Sequence, residues 1–297
     1  LTLSKPDWND STELIGYWNL QNEFVPGKLT KIIYKAVNDR ENPYFVCLDE
    51  MNLARVEYYL SDFLSIVETR RFNKNRDIIT DNIFDENVEK YSHLYFPDNL
   101  YIIGTVNMDD TTYSFSRKVL DRANTIEFSH VNLNFLDFSF NDIETVNIDN
   151  EFLKTRYINI KDALADDKAY VDKINKKIIE INTILESSNK HFGYRVRDEI
   201  VFYMLENYCL KLLDEDVAFD YQLMQKILPT IMGSDYKTKQ TLIQLYNFCN
   251  PDHQIIESIS YIDEAEKNLS FARYKQSAKK IVHMMRGYED GFTSYWL

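Results

Sequence analysis

The 297-residue sequence has only seven glycines, at positions 16, 27, 104, 193, 233, 287 and 291, and no two of them bracket a G-x-x-x-x-G-K-[S/T] segment. A loop of backbone N–H groups that cradles phosphates, with its lysine and its magnesium-binding hydroxyl, is therefore missing from these residues. Cysteine is scarcer still. Cys47, Cys209 and Cys249 are odd in number, widely spaced and without a C-x-x-C pair, which excludes a disulfide framework and a thiolate metal site. The five histidines are scattered and add no zinc site. No apolar run approaches the length of a membrane span, and with reduced thiols the expectation is a cytoplasmic protein. Positive charge is also short: 34 Lys and Arg face 47 Asp and Glu, a net charge of −13. Phosphate backbones are bound by clustered cations, so a broad nucleic-acid surface on this chain is disfavoured. The one local basic cluster, Arg70, Arg71, Lys74 and Arg76, reads as a solvated loop.

What remains is an ordinary globular composition, 44% hydrophobic and 27% charged, long enough for two domains. The 21 tyrosines and 18 phenylalanines promise substantial core or interface area.

The most informative stretch is 44–68, Y-F-V-C-L-D-E-M-N-L-A-R-V-E-Y-Y-L-S-D-F-L-S-I-V-E. Residues 44–48 are apolar without alternation, the pattern of a strand buried on both faces in a parallel sheet. After them Leu53, Val56, Leu60, Phe63, Leu64 and Val67 recur at helical spacing. Asp49 and Glu50 thus stand where a strand ends and a helix is about to begin, the sheet edge at which α/β proteins bind ligands. Two adjacent acids there suit a Walker B pair, one organising magnesium and the next polarising a water.

Along the chain, residues 1–3 suggest a strand, 8–28 a hairpin or ordered loop, and 29–37 a short helix. Residues 69–96 suggest a hairpin or long loop, and 99–107 a second buried strand ending in Asn107. A helix within 108–122 and a third strand at 125–128 follow. The Asn-, Asp- and Phe-rich stretch 129–150 marks a domain boundary. Beyond it the pattern is helical. One stripe is Val171, Ile174, Ile178, Ile181 and Leu185, and a second is Ile200, Met204, Leu205, Tyr208 and Leu212. Further helices are expected at 221–228, 239–248 and about 256–285.

Five segments, C-L-D-E-M-N-L-A-R-V-E at 47–57, Y-I-I-G-T-V-N-M-D-D at 101–110, K-V-L-D-R-A-N-T-I-E-F at 118–128, F-G-Y-R-V-R-D-E-I at 192–200 and G-F-T-S-Y-W at 291–296, resemble in order and spacing the AAA+ module of McrB-type proteins. Those are the nucleotide-hydrolysing subunits of modification-dependent restriction systems. The resemblance implies an α/β fold with a parallel sheet over 1–150 and a helical lid over 151–297. It implies that Asp49 organises Mg2+, that Glu50 is the general base and that Asn107 senses the attacking water or γ-phosphate. Asp110 fills the place of the family's second signature, although Thr111 stands where relatives carry Arg. Arg122 would be the finger that reaches a neighbouring subunit's phosphate, and Arg195, with Arg197 as the alternative, the lid's phosphate sensor. The implied cofactors are Mg2+ with GTP or ATP. The implied assembly is a homo-oligomeric ring driving an McrC-like endonuclease, with DNA contacted through an upstream domain or a partner.

The missing phosphate loop departs from this pattern. By the family's order residues 1–4 would be the second strand, so the expectation is the C-terminal part of a longer NTPase, inactive alone. The alternative is a non-hydrolysing assembly module that has lost nucleotide binding.

Overall fold

A short apolar strand with a parallel neighbour on each side organises the N-terminal part. The computed structural model describes residues 2–3, 10–88, 90–108, 112–128, 133 and 147–296. By contacts the chain divides into two units, Leu1–Val119 with Glu127–Ile158, and Leu120–Ile126 with Asn159–Leu297. The second unit therefore starts at Asn159 rather than 151 and takes in the turn that carries Arg122.

The first unit begins with β1 (Thr2–Leu3), followed by α1 (Thr12–Ile15), the hairpin strands β2 (Gly16–Trp18) and β3 (Phe24–Pro26), and α2 (Lys28–Asn38). The hairpin interrupts a helical course. Gly27 N donates to Ile15 O at 2.9 Å and Thr30 Oγ1 to the same oxygen at 2.5 Å, so α2 resumes where α1 stopped. A Cβ on Gly27 would lie 2.2 Å from Leu14 O, which reserves the junction for glycine. β4 (Tyr44–Leu48) comes next, then a 3₁₀ turn at Met51–Leu53, α3 (Val56–Tyr59), α4 (Ser61–Ile66), a small hairpin of β5 (Arg71–Phe72) and β6 (Ile78–Ile79), and β7 (Leu100–Gly104). The helix expected after Asp49 is thus broken into short pieces.

The sheet has the order β1-β4-β7 and is parallel throughout, with Leu3 opposite Leu48 and Leu48 opposite Gly104. Strands in this register end level, so their carboxyl ends share one edge. Val46 and Leu48 are buried against Leu14, Leu29, Ile33 and Leu64. On the other face Phe45 is 48% exposed and stacks on Tyr101 with ring centroids 5.2 Å apart, and Ile103 is 51% exposed. The expectation of strands buried on both faces fails for this reason, since the helices of the unit cover one face. Asn99 locks the entry to β7. Fully buried, its amide donates to Ala36 O, Asp39 O and Asn42 O at 3.0, 2.7 and 3.0 Å. Among the described residues no strand pairs with the second edge of β7.

After α5 (Arg117–Leu120), residues 125–128 form no strand; Thr125 N donates to Gln225 O at 3.3 Å instead. The first unit closes with α6 (Asn150–Leu153), whose Asn150 Oδ1 accepts from Tyr101 Oη at 2.8 Å.

The second unit is built on α7 (Ile160–Glu186), α8 (Tyr194–Leu210), α9 (Glu215–Gln222) and a single π-helical turn at Leu223–Ile227. β8 (Met232–Gly233), α10 (Tyr236–Cys249), α11 (Tyr261–Lys267), α12 (Lys275–Glu289) and β9 (Thr293–Ser294) complete it. The stripe Val171, Ile174, Ile178, Ile181 and Leu185 is buried as its spacing requires. In the second stripe Ile200, Met204 and Leu205 are buried, but Tyr208 and Leu212 are exposed; Lys211 turns left-handed at the end of α8, so Leu212 lies beyond the helix. The single helix expected over 256–285 is divided. Asn250 Nδ2 holds Asn268 O at 3.0 Å, and Arg273 N donates to Cys249 O at 2.9 Å, turning the chain between α11 and α12. Helix starts are capped by Asn159 and Asp162 in a capping box, by Asp214 and by Asp235. For α12 the cap comes from another helix: buried Asp220 accepts from Gln276 N at 2.8 Å, Ser277 N at 2.9 Å and Ser277 Oγ at 2.5 Å. No helix among the described residues is long and apolar enough to cross a membrane.

Candidate functional site

The level ends of β4 and β7 bring Asp49 and Glu50 beside residues 105–107. Thr105 joins them. Its amide donates to Leu48 O at 3.0 Å and its carbonyl accepts from Met51 N at 3.0 Å, continuing the ladder beyond the strands. Its hydroxyl accepts from Glu50 N at 2.8 Å and donates to Asp49 Oδ1 at 2.7 Å. One side chain therefore fixes both acids, while their carboxylates remain exposed. Glu50 has φ 50° and ψ 46°, the left-handed region, which a residue with a Cβ enters at a cost of about 1 kcal/mol or more. That twist ends β4 at once and aims the Glu50 side chain differently from its strand neighbours. Gly104, the last residue of β7, leaves room for the Met51 side chain from the 3₁₀ turn after β4, since a Cβ there would meet Met51 Sδ at 1.9 Å.

Asn107 lies just past β7 with its side chain exposed. Its carbonyl accepts from Asn52 Nδ2 at 2.9 Å, and the Asn52 main-chain carbonyl accepts from Tyr113 N at 2.9 Å. Asn52 is 1% exposed. Asn52 and Thr105 were missed by sequence reading, although both sit inside segments quoted for the acids and Asn107. A polar residue two or three positions from a functional one, next to a strand end, was the available signal. Asp110 lies outside the described residues.

The basic candidates belong to the helical unit. Arg122 follows α5 in a turn, and Arg195 is in the first turn of α8. Burial and the neighbouring Arg195 guanidinium push the Arg122 pKa down, with Glu199 acting the other way. Arg122 and Arg195, read from sequence as a finger and a separate sensor, are thus electrostatic neighbours within one unit. Arg197 is engaged elsewhere: its Nε donates to Asp198 at 2.7 Å, and its guanidinium lies 4.8 Å from the Tyr194 ring centroid. Burial raises the Asp198 pKa against the pull of Arg197.

A magnesium ion bound by protein alone needs a cage of ligands. Among the described residues no group of three or more His, Cys, Asp or Glu could supply one. Two adjacent carboxylates and a hydroxyl, all hard oxygen donors, instead fit magnesium that arrives with phosphate oxygens and keeps several waters. Asp49, tied through Thr105, would be its ligand from this chain.

No curated protein matches the chain. A family model described as a domain of unknown function (DUF8727) matches residues 142–292, which take in all of the helical unit from α7 through α12 and just over half of the sequence, and the chain therefore belongs to that family.

Proposed function

We propose that the acid-bearing sheet edge is the hydrolytic centre of an AAA+ NTPase of the McrB type, with the second unit as its helical lid. The observation that carries this reading is the Thr105 bridge, by which the residue after β7, two before Asn107, fixes Asp49 and Glu50 at the end of the neighbouring parallel strand β4. Magnesium, when bound with GTP or ATP, neutralises charge on the phosphate oxygens. Asp49 holds it. The Glu50 carboxylate accepts a proton from the attacking water, and the Asn107 amide orients that water by hydrogen bonding. Arg122 would be the finger that reaches a neighbouring subunit's phosphate, and Arg195 the lid's phosphate sensor, each favouring the charge that develops as the bond to the leaving phosphate breaks. Asp110 is kept as a nucleotide-binding residue on the resemblance alone, with Arg197 as the alternative to Arg195. The reading requires a phosphate-cradling loop that these 297 residues do not contain. The protein works as a ring of identical subunits that drives an McrC-like endonuclease in the cytoplasm. With a net charge of −13, contact with modified DNA falls to another domain or to the partner.

A second reading, a non-hydrolysing assembly module, is favoured by the lack of a G-x-x-x-x-G-K-[S/T] segment. Steady-state phosphate release by the full-length protein, with magnesium, the partner nuclease and GTP or ATP, separates the two. Glu50→Gln keeps shape and removes the base, so turnover is expected to fall by about 100-fold with nucleotide binding nearly unchanged. Asp49→Asn is expected to weaken the magnesium-dependent part of binding as well. Undetectable release with either nucleotide hands the site to the assembly module. Recovery of activity on mixing Arg122→Ala with Glu50→Gln subunits supports a ring in which each supplies what the other lacks; no recovery counts against it.

A further inference from the structure

Between α7 and α10 the helical unit holds a cleft of about 600 Å³, within the size range of ligand pockets. α7 lines it with Lys177, Glu180 and Ile184, so it follows that helix for roughly 10 Å at 1.5 Å per residue. Gln244 and Phe248 line it from α10, with Gln254 and the Arg273–Tyr274 pair beyond that helix. The cations of this cleft are already spent. Lys177 lies 3.3 Å from Glu215 and 3.6 Å from Asp216, and Arg273 lies 2.8 Å from Asp216. The acid is not spent. Glu180 is exposed, and its side chain makes no ion pair or hydrogen bond among the described residues. The same holds for the Gln244 and Gln254 carboxamides and for the Tyr274 hydroxyl. Asn247 differs, because both ends of its amide are bound to Ile255, at 2.9 and 2.8 Å, and hold the wall. Tyr274 points most clearly to a ligand. It is only 2% exposed and stacks on Phe248 with ring centroids 5.6 Å apart. A tyrosine set so deeply ordinarily finds a partner for its hydroxyl.

The unused groups are thus a carboxylate, two carboxamides and a phenol, beside a stacked aromatic pair. A guanidinium suits them: it is a planar cation with five N–H donors, pairs with a carboxylate in a fork and stacks on an aromatic face. An anionic ligand would have to win Lys177 and Arg273 from Glu215 and Asp216, and would then meet Glu180. The cleft's length matches about three residues of extended chain, whose peptide groups donate and accept as carboxamides do. We propose that the cleft receives an arginine side chain from an extended segment of a partner protein, its guanidinium bonded to Glu180 and laid over the Phe248–Tyr274 pair. The net charge of −13 attracts a basic partner from a distance as well. This inference involves the helical unit alone and stands apart from the nucleotide reading.

The test titrates the full chain with the blocked tripeptide acetyl-Leu-Arg-Leu-amide and follows the side-chain amide resonances of Gln244 and Gln254. Both are expected to shift and saturate with one affinity. The tripeptide with lysine in the middle should bind about threefold more weakly, for want of the planar fork, and the one with glutamate should not bind. Glu180→Gln keeps size and removes charge, so affinity should fall about fivefold, the upper scale for an exposed ion pair. Tyr274→Phe keeps the stacked ring and removes only the hydroxyl. Affinity should fall about threefold while the thermal midpoint holds, because that hydroxyl has no partner to lose in the free protein. Unshifted glutamines, equal binding of the glutamate tripeptide, or indifference to both variants overturns the proposal. A lowered midpoint with unchanged affinity in Tyr274→Phe makes the tyrosine a structural residue and also counts against it. Guanidinium chloride that shifts the same resonances with the affinity of the tripeptide would assign the cleft to a small cation. A sedimentation coefficient that falls on adding the tripeptide would assign it to a second copy of this chain. Either result removes the partner segment.

Discussion

The two units handle polar groups in opposite ways. In the α/β unit the acids sit at strand ends with exposed carboxylates, and what is fixed is the backbone beneath them, through Thr105 and Asn52. In the helical unit Lys226 and Asp220 are buried and bonded on several sides. A buried ion that has spent its hydrogen-bonding capacity holds geometry, and it cannot exchange a partner without an energetic penalty. An exposed carboxylate on a rigid backbone can take up a ligand or a proton. The contrast teaches which charges are available for chemistry and which set the frame.

The comparison breaks if frame and site respond alike to substitution. The largest effect is expected at Asp220→Ala, which strands the Gln276 and Ser277 amides at the start of α12. A loss of about 3 kcal/mol should appear in denaturant unfolding, with reduced exchange protection along α12. Little change would mean that the buried carboxylate is no frame element. Asn52→Ala frees the Asn107 carbonyl and empties a buried position, and a loss of about 1–2 kcal/mol is expected by the same measurement. Exchange at Tyr113 should stay protected, because its bond goes to the main chain of residue 52. The smallest effect has the opposite sign. Glu50→Gly relieves the left-handed strain, so stability should rise by about 0.5 kcal/mol while hydrolysis is lost. A destabilised Glu50→Gly protein would remove the argument from strain.

Acid titration sharpens the contrast from the side of the frame. Burial pushes Glu215 and Asp216 up, but Lys173 and Lys177 around the first and Arg273 and Lys177 around the second outweigh it, and both carboxyls end below their ordinary values. Depressed folded-state values stabilise above the ordinary carboxylate range, and that contribution disappears as pH falls through the folded values. Exchange protection of α9 should therefore decline in that acidic window. Lys173→Met should move the Glu215 part of the decline to higher pH, and an unmoved profile would mean that the pair contributes nothing.

Sequence patterns made most of the frame legible. Period-3.6 stripes identified α7 and the core of α8, and the apolar run 44–48 matched its strand residue for residue. The failures share a cause, which is long-range bonding that no local pattern carries. Asn250 and Cys249 cut the expected C-terminal helix through contacts with residues 268 and 273. The segment 125–128 looks like a strand, yet its first amide is taken by Gln225. The exposure of Phe45 and Ile103 was equally hidden, because an apolar run says that residues avoid water without saying which element covers them. Within the candidate site the acids and Asn107 were readable from strand-end position. Thr105 and Asn52 were not, since each acts across a distance in sequence.

The central claim is that the acid edge receives metal with a nucleotide. Manganese can replace magnesium as a paramagnetic probe in the full-length protein, with GTP or ATP present, and the amide resonances then report distance from the metal. The account predicts nucleotide-dependent broadening centred on Asp49, Glu50 and Thr105 that disappears in Asp49→Asn. Broadening that is absent there, centred elsewhere, or unchanged by Asp49→Asn would contradict it.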